Sequence, residues 1–220
     1  MQHRQNYICY NSPYRGLLYE EVREILTNYD VDGIYFDQLP ISCYCPWCQA
    51  KFEQRYGRPM PVVPDEFFVY NSPAGLPPLL KEFRDDSVRS FCAGIRQIVD
   101  EVKPDVCYAQ NWVRDAQAHL ARGLANVLLP EFYQRNDLIP LGMKHRLTKA
   151  YFDDGPLWGN VRHAVRHDAR HHPLCGTKML LVDCVANLAA PLMLDLCAMD
   201  FDATGKKELA ETFDHIHSIQ

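Results

Sequence analysis

The sequence predicts an α/β fold of the (β/α)8 TIM-barrel type, with only the C-terminal part, strands 4 to 8, held in these 220 residues. Three observations lead there. Strand-like apolar runs alternate with amphipathic helical segments at least four times, a pattern that gives parallel strands joined by right-handed crossovers. Polar or aromatic residues close several strand runs: Asp37-Gln38, Asn111-Trp112, Glu131, Trp158 and Asp195. Barrel sites are built from such residues at the carboxyl ends of successive strands. No Gly-rich loop follows any strand, so a doubly wound sheet would lack its phosphate-binding device. Only five strand runs are present, and a complete barrel takes ~250 residues.

The elements follow in order. Residues 12–29 read as a helix, with Ser12 as cap, Pro13 in the first turn, and Leu17, Leu18, Val22, Ile25 and Leu26 at helical spacing. "VDGIYFDQ" (31–38) is a short buried strand. A cysteine knuckle and a helix around 46–56 come next, ending near Gly57. Residues 58–78 carry prolines at 59, 61, 64, 73, 77 and 78 and form an irregular excursion. A long helix over 79–102 places Phe83, Val88, Phe91, Ile95, Ile98 and Val102 on one face. Strands at 105–112, 126–133, 155–161 and 190–196 then alternate with helices at 114–123, 137–150, 173–189 and 205–219. The whole chain, 1–220, reads as one partial barrel domain with a zinc-knuckle rim loop at 39–78.

Composition removes several functions. The chain is 47% hydrophobic and 23% charged, as an ordinary globular protein is. Its net charge of −5, with no dense Lys/Arg stripe, argues against nucleic acid as a partner. The N-terminus has no apolar signal region, and no run approaches the ~18 apolar residues of a membrane span. Nine cysteines are an odd count, and Cys92, Cys107, Cys184 and Cys197 sit in apolar runs as small hydrophobes. A reducing, cytoplasmic compartment is expected.

Cys43, Cys45 and Cys48 fall within six residues, and three thiolates so spaced converge readily on one tetrahedral ion. Soft thiolates favour zinc over magnesium or calcium. A redox pair and unliganded thiols are the alternatives, the former weakened by the extra Cys45. Cys9 is the best fourth ligand, because in a barrel the ends of strands 3 and 4 are neighbours. Four filled positions leave none for substrate, so the expected zinc is structural.

At these residues a resemblance enters. "CYNSPYRGLLYEEVREILTNYDVDGIYFDQ…CYCPWCQAKFEQRYGRPMP" resembles the hypothetical glycosyl hydrolase 6 group, barrel proteins related to glycoside hydrolase families 29 and 42. The similarity is most specific over 7–62, and "VANLAAPLMLDLCAMDFDATG" is similar to the last strand and its loop. The cysteine pattern resembles the zinc cluster of family 42 β-galactosidases, which implies Cys9, Cys43, Cys45 and Cys48 as ligands. Family 42 has an Asn-Glu acid/base at the end of strand 4, where this chain has Asp37-Gln38. The strand-7 nucleophile of that clan has no counterpart in "GPLWGNV". "YFDQ" is closer to the family 29 fucosidase pattern, in which an aspartate ending strand 4 is the nucleophile.

Glycoside hydrolysis uses two carboxyl groups, ~5–5.5 Å apart for retention and ~6.5–9.5 Å for inversion. Asp37, after "GIYF", is the first candidate and Glu131, in "LLPEFY", the second. Among apolar groups Glu131 would have the raised pKa of a general acid. The expected roles are Asp37 as nucleophile and Glu131 as acid/base, against a helix cap and a rim ion pair as alternatives. Trp112 and Trp158 can stack on pyranose faces, Asn111 can donate to a sugar hydroxyl, and Gln38 and Asp195 complete the substrate set. His163, His167 and His171 are spaced i, i+4, i+8 but lack the glutamate of a metalloprotease helix, and read as a solvated stretch.

The leading expectation is therefore a glycosidase acting on a fucoside- or galactoside-like carbohydrate substrate, with no nucleic-acid or membrane partner. The alternative is a truncated or non-catalytic subunit that binds carbohydrate or assembles with another chain. Exposed edges of a half barrel require relief by a homo-oligomer or by a missing N-terminal half.

Overall fold

Six helices and five short strands follow one another along the described chain: α1 (Tyr14–Asn28), β1 (Gly33–Phe36), α2 (Pro46–Tyr56), α3 (Pro78–Val102), β2 (Cys107–Trp112), β3 (Val127–Pro130), α4 (Leu138–Phe152), β4 (Leu157–Val161), α5 (Leu174–Ala186), β5 (Ala189–Met193) and α6 (Ala203–Ser218). The structure is a computed structural model, and it describes residues 9–37, 43–62, 76–112, 119–130, 138–152, 155–161, 174–187, 189–193 and 203–219. Two units divide the chain, Met1–Tyr108 and Ala109–Gln220.

In the first unit α1 lies along α3. The apolar spacing of α3 buries Leu80, Phe83, Val88, Phe91, Cys92, Ile95, Ile98 and Val99, as a helix with one core face must. Val102, expected on that face, is only half-buried. Phe91 is the centre of an aromatic group: Tyr10 stacks on it at 4.3 Å, Tyr19 at 5.7 Å, and Phe36 meets it edge-on at 5.8 Å. Gly94 makes the α1–α3 approach possible, because a Cβ there would fall 2.1 Å from the Tyr19 hydroxyl oxygen. That hydroxyl donates to the Phe91 carbonyl at 3.0 Å and receives Arg15 Nε at 2.8 Å.

Two expectations are corrected in this unit. Ser12 does not cap α1: Pro13 is the capping residue, already helical at φ −57°, and the Ser12 hydroxyl donates instead to the Cys9 carbonyl at 2.7 Å. β1 is not a buried strand, since its residues alternate between exposed and half-buried. Phe36 turns toward Phe91 and Tyr108, while Gly33 and Tyr35 are exposed, so only one face is packed.

In the second unit β2 to β5 form a parallel sheet in chain order. Registers run from Ala109↔Val127 to Trp112↔Pro130, through Leu128↔Leu157, and from Leu157↔Ala189 to Val161↔Met193. Alternating helix and strand patterns give this arrangement, because parallel neighbours need a crossover between them. Leu128, Phe152, Leu157 and Leu181 are fully buried, and α4 also buries His145 and Thr148. The helix expected over 173–189 stops at Ala186, and the strand starts at Ala189 rather than 190. Asn187 explains the stop: its backbone N–H bonds to Asp183 O at 3.1 Å, and its side chain donates to Asp183 Oδ1 at 3.0 Å. The helix expected over 114–123 is described only at its end, where His119–Ala121 make one 3₁₀ turn. Among the described residues no helix is long and apolar enough to cross a membrane.

Candidate functional site

The four predicted cysteines converge. Cys9 precedes α1, Cys43 and Cys45 lead into α2, and Cys48 lies in its first turn. Cys45 is the extended N-cap of α2, at φ −64° and ψ 161°, and Pro46 follows it at the first helical position. The helix ends at Gly57, whose φ of 66° lies in the left-handed region that glycine adopts without strain. Beneath the cysteines, Cys48, Phe52, Met60, Leu80 and Phe83 form a core cluster that fixes α2 against α3. Arg55 adds exposed ion pairs across the two helices, to Glu82 at 2.8 Å and Asp86 at 2.5 Å. Such pairs guide alignment more than they stabilise.

The geometry suits a tetrahedral ion. Four sulfurs around zinc at about 2.3 Å stand roughly 3.8 Å from one another. Here Cys9 Sγ lies 3.3 Å from Cys48 Sγ and 3.4 Å from Cys45 Sγ, and all four sulfurs lie within 4.8 Å of each other. The cluster could hold a metal ion. Without one Cys9 and Cys43 retain their protons: the neighbouring Cys48 thiol and burial hold Cys9 above the ordinary thiol range, and burial pushes Cys43 up to about 12.

Three donors point at the sulfurs. The Asn11 backbone N–H reaches Cys9 Sγ at 3.4 Å, the Cys45 N–H reaches Cys43 Sγ at 3.3 Å, and Asn11 Nδ2 reaches Cys48 Sγ at 3.4 Å. Asn11 is itself held by Ser87 Oγ at 2.9 Å and Lys51 Nζ at 2.8 Å. Sequence reasoning missed Asn11, Lys51 and Ser87. Only Asn11, two positions after Cys9, carried a local signal, since amides often support metal ligands.

The other predicted residues fall differently. Asp37 directly follows β1 and is exposed. Asn111 is buried in β2, 1% exposed, and Trp112 is the last residue of that strand. Trp158 is half-buried and is the second residue of β4, not its end, because the strand begins only after Pro156 and runs on to Val161. Glu131, Gln38, Asp195 and the histidine-rich stretch 162–172 lie outside the described residues. A separate groove of about 630 Å³ between α5 and α6 is lined by Met179, Val182, Asp183, Thr212 and His215 among others, and by none of the predicted site residues that are described.

With this geometry in view, comparison with known proteins identifies the fold. No protein-family model matches the chain. It resembles an S-layer-related protein of Niallia circulans, 30% identical over 106 residues, covering 43% of this chain and 7% of that protein. The α-L-fucosidase isoenzyme 2 of Paenibacillus thiaminolyticus is similar in structure, with a TM-score of 0.65 at 18% identity, over 99% of this chain and 32% of that one. The β-galactosidase of Halorubrum lacusprofundi gives a TM-score of 0.67 at 17% identity, over 89% and 38%. A cold-adapted β-galactosidase from Rahnella sp. R3 gives 0.64 at 15%, over 96% and 40%. The fold is glycoside hydrolase-like. The chain spans between about a third and two fifths of these glycosidases' length.

Proposed function

We propose that this chain is a glycoside hydrolase of the hypothetical glycosyl hydrolase 6 group, contributing strands 4 to 8 of a (β/α)8 barrel and hydrolysing a fucoside- or galactoside-like O-glycosidic bond. The observation that carries this is a coincidence: a fold shared with a fucosidase over 99% of the chain, and an exposed carboxylate, Asp37, directly after β1. Asp37 attacks the anomeric carbon while Glu131 protonates the departing oxygen. Glu131 then takes a proton from the water that releases the sugar from Asp37. Trp112, Gln38 and Asp195 orient the sugar, while Asn111, buried in β2, is left without a direct contact to it.

In the same reading Cys9, Cys43, Cys45 and Cys48 hold a structural zinc ion. Soft thiolates suit zinc, and four of them leave no position for water or substrate. The ion's contribution is to pin the segment between Asp37 and α2, not to enter the reaction. Free thiols at the described cysteines suit a reducing compartment such as the cytoplasm.

A second reading is a carbohydrate-binding or assembly subunit without turnover. It is favoured by coverage, 32% of the fucosidase chain, and by a relative named for a surface layer rather than for hydrolysis. Incubation of the protein with a panel of aryl α-fucosides and β-galactosides separates them. Turnover supports hydrolysis, saturable sugar binding without turnover supports the second reading, and neither result would count against both.

A further inference from the structure

We propose that Asn11 is a positioning residue for the cysteine centre, setting how tightly Cys48 and Cys9 hold a metal ion. The inference rests on the reading of the four cysteines as metal ligands and adds to it the residues that govern affinity. Its basis is a complete set of partners. Asn11 Oδ1 accepts from the Lys51 ammonium at 2.8 Å, and Nδ2 donates to Ser87 Oγ at 2.9 Å and to Cys48 Sγ at 3.4 Å. The backbone N–H of the same residue donates to Cys9 Sγ at 3.4 Å.

These partners fix the amide's orientation. Lysine can only donate, so the atom facing it must be the oxygen. Ser87 spends its hydroxyl proton on the Phe83 carbonyl at 2.7 Å, so toward Asn11 it can only accept. The amide proton is therefore directed at Cys48. Four thiolates around a divalent cation leave two excess negative charges, and every N–H pointed at a sulfur offsets part of them. Lys51 sharpens the effect, because a cation on the amide oxygen polarises the N–H that faces the sulfur. One residue thus serves two ligands from different parts of the chain, Cys9 before α1 and Cys48 within α2, and is anchored to α3 through Ser87.

The test is titration of the metal-free protein with Co²⁺, followed by competition with Zn²⁺, for the wild type and the Asn11→Asp, Lys51→Met and Ser87→Ala variants. Asn11→Asp keeps the shape but turns a carboxylate oxygen toward Cys48, and a loss of about 10–100-fold in affinity is expected. Lys51→Met is expected to lose several-fold. In Asn11→Asp the sulfur-to-cobalt charge-transfer band should move to lower energy, because a sulfur without its hydrogen bond is the stronger donor. Mere loosening of the fold would not shift the band of the filled site. Affinities within twofold of wild type, or an unmoved band, would overturn the proposal. Should Asn11→Asp fail to fold, Lys51→Met and Ser87→Ala, which leave Asn11 and every cysteine in place, decide by the same affinity criterion. A wild type that takes up no Co²⁺ overturns the metal reading itself, and the proposal with it.

Discussion

Cys9 Sγ and Cys48 Sγ stand 3.3 Å apart although 39 positions separate them in the chain. The pair ties the segment before α1 to the first turn of α2, and Cys43 and Cys45 complete the group. An ion held there stabilises the folded state by mass action. With free zinc at 1,000 times Kd the gain is about 4 kcal/mol. Chelation should therefore lower the melting temperature of the wild type and leave Cys48→Ala unaffected. Binding should weaken as pH falls, because protons retained on Cys9 and Cys43 compete with the metal. Calorimetry with and without chelator, repeated at two pH values, checks both expectations.

Gly94 and Tyr19 define the closest approach of α1 to α3. Alanine at 94 would bring a Cβ within 2.3 Å of the Tyr19 ring carbon Cζ, so the ring must leave its place against Phe91. Overpacking of this kind costs about 1–3 kcal/mol, against a gain of about 1 kcal/mol in helix propensity. Gly94→Ala should be net destabilising in denaturant melts, and adding Tyr19→Ala should recover part of the loss. Equal stability of Gly94→Ala and wild type would contradict the packing.

His145 is fully buried in α4, and burial lowers its pKa from an ordinary 6.5 to about 4. Between those values the unfolded chain binds a proton that the folded chain does not, so stability falls as pH drops from 6.5 toward 4. The contribution is on the order of 2–3 kcal/mol. His145→Gln should flatten the stability profile across that window, measured as the difference between the two proteins' urea midpoints from pH 7 to 4.5.

Gly57 closes α2 in the left-handed conformation, at φ 66°. Gly57→Ala keeps the helix but strains its end, and should cost about 1 kcal/mol. The loss should appear in thermal melts without any change in metal stoichiometry.

The sequence was most informative where the signal is local. Cys43, Cys45 and Cys48 announce by spacing alone the cysteine cluster that could hold a metal ion, and the apolar spacing of α3 announces its buried face. Ser12 misled because its hydroxyl was taken by a competing local partner, the Cys9 carbonyl three positions earlier. β1 misled because a run of apolar residues does not reveal whether one face or both are covered. The end of α5 was missed because Asn187 closes the helix with its own side chain, inside an apolar run that continues beyond it. Lys51 and Ser87 were invisible for another reason: each reaches Asn11 across 40 and 76 positions, and nothing nearby in the chain marks that meeting.

Hydrolysis by way of Asp37 and Glu131 is tested most directly by turnover of an aryl glycoside in a full-length active form, comparing wild type with Asp37→Asn and Glu131→Gln. Both substitutions should lower kcat by roughly a thousandfold or more, as loss of a nucleophile or acid/base does, while substrate still binds. Near-native turnover in both variants would contradict the assignment.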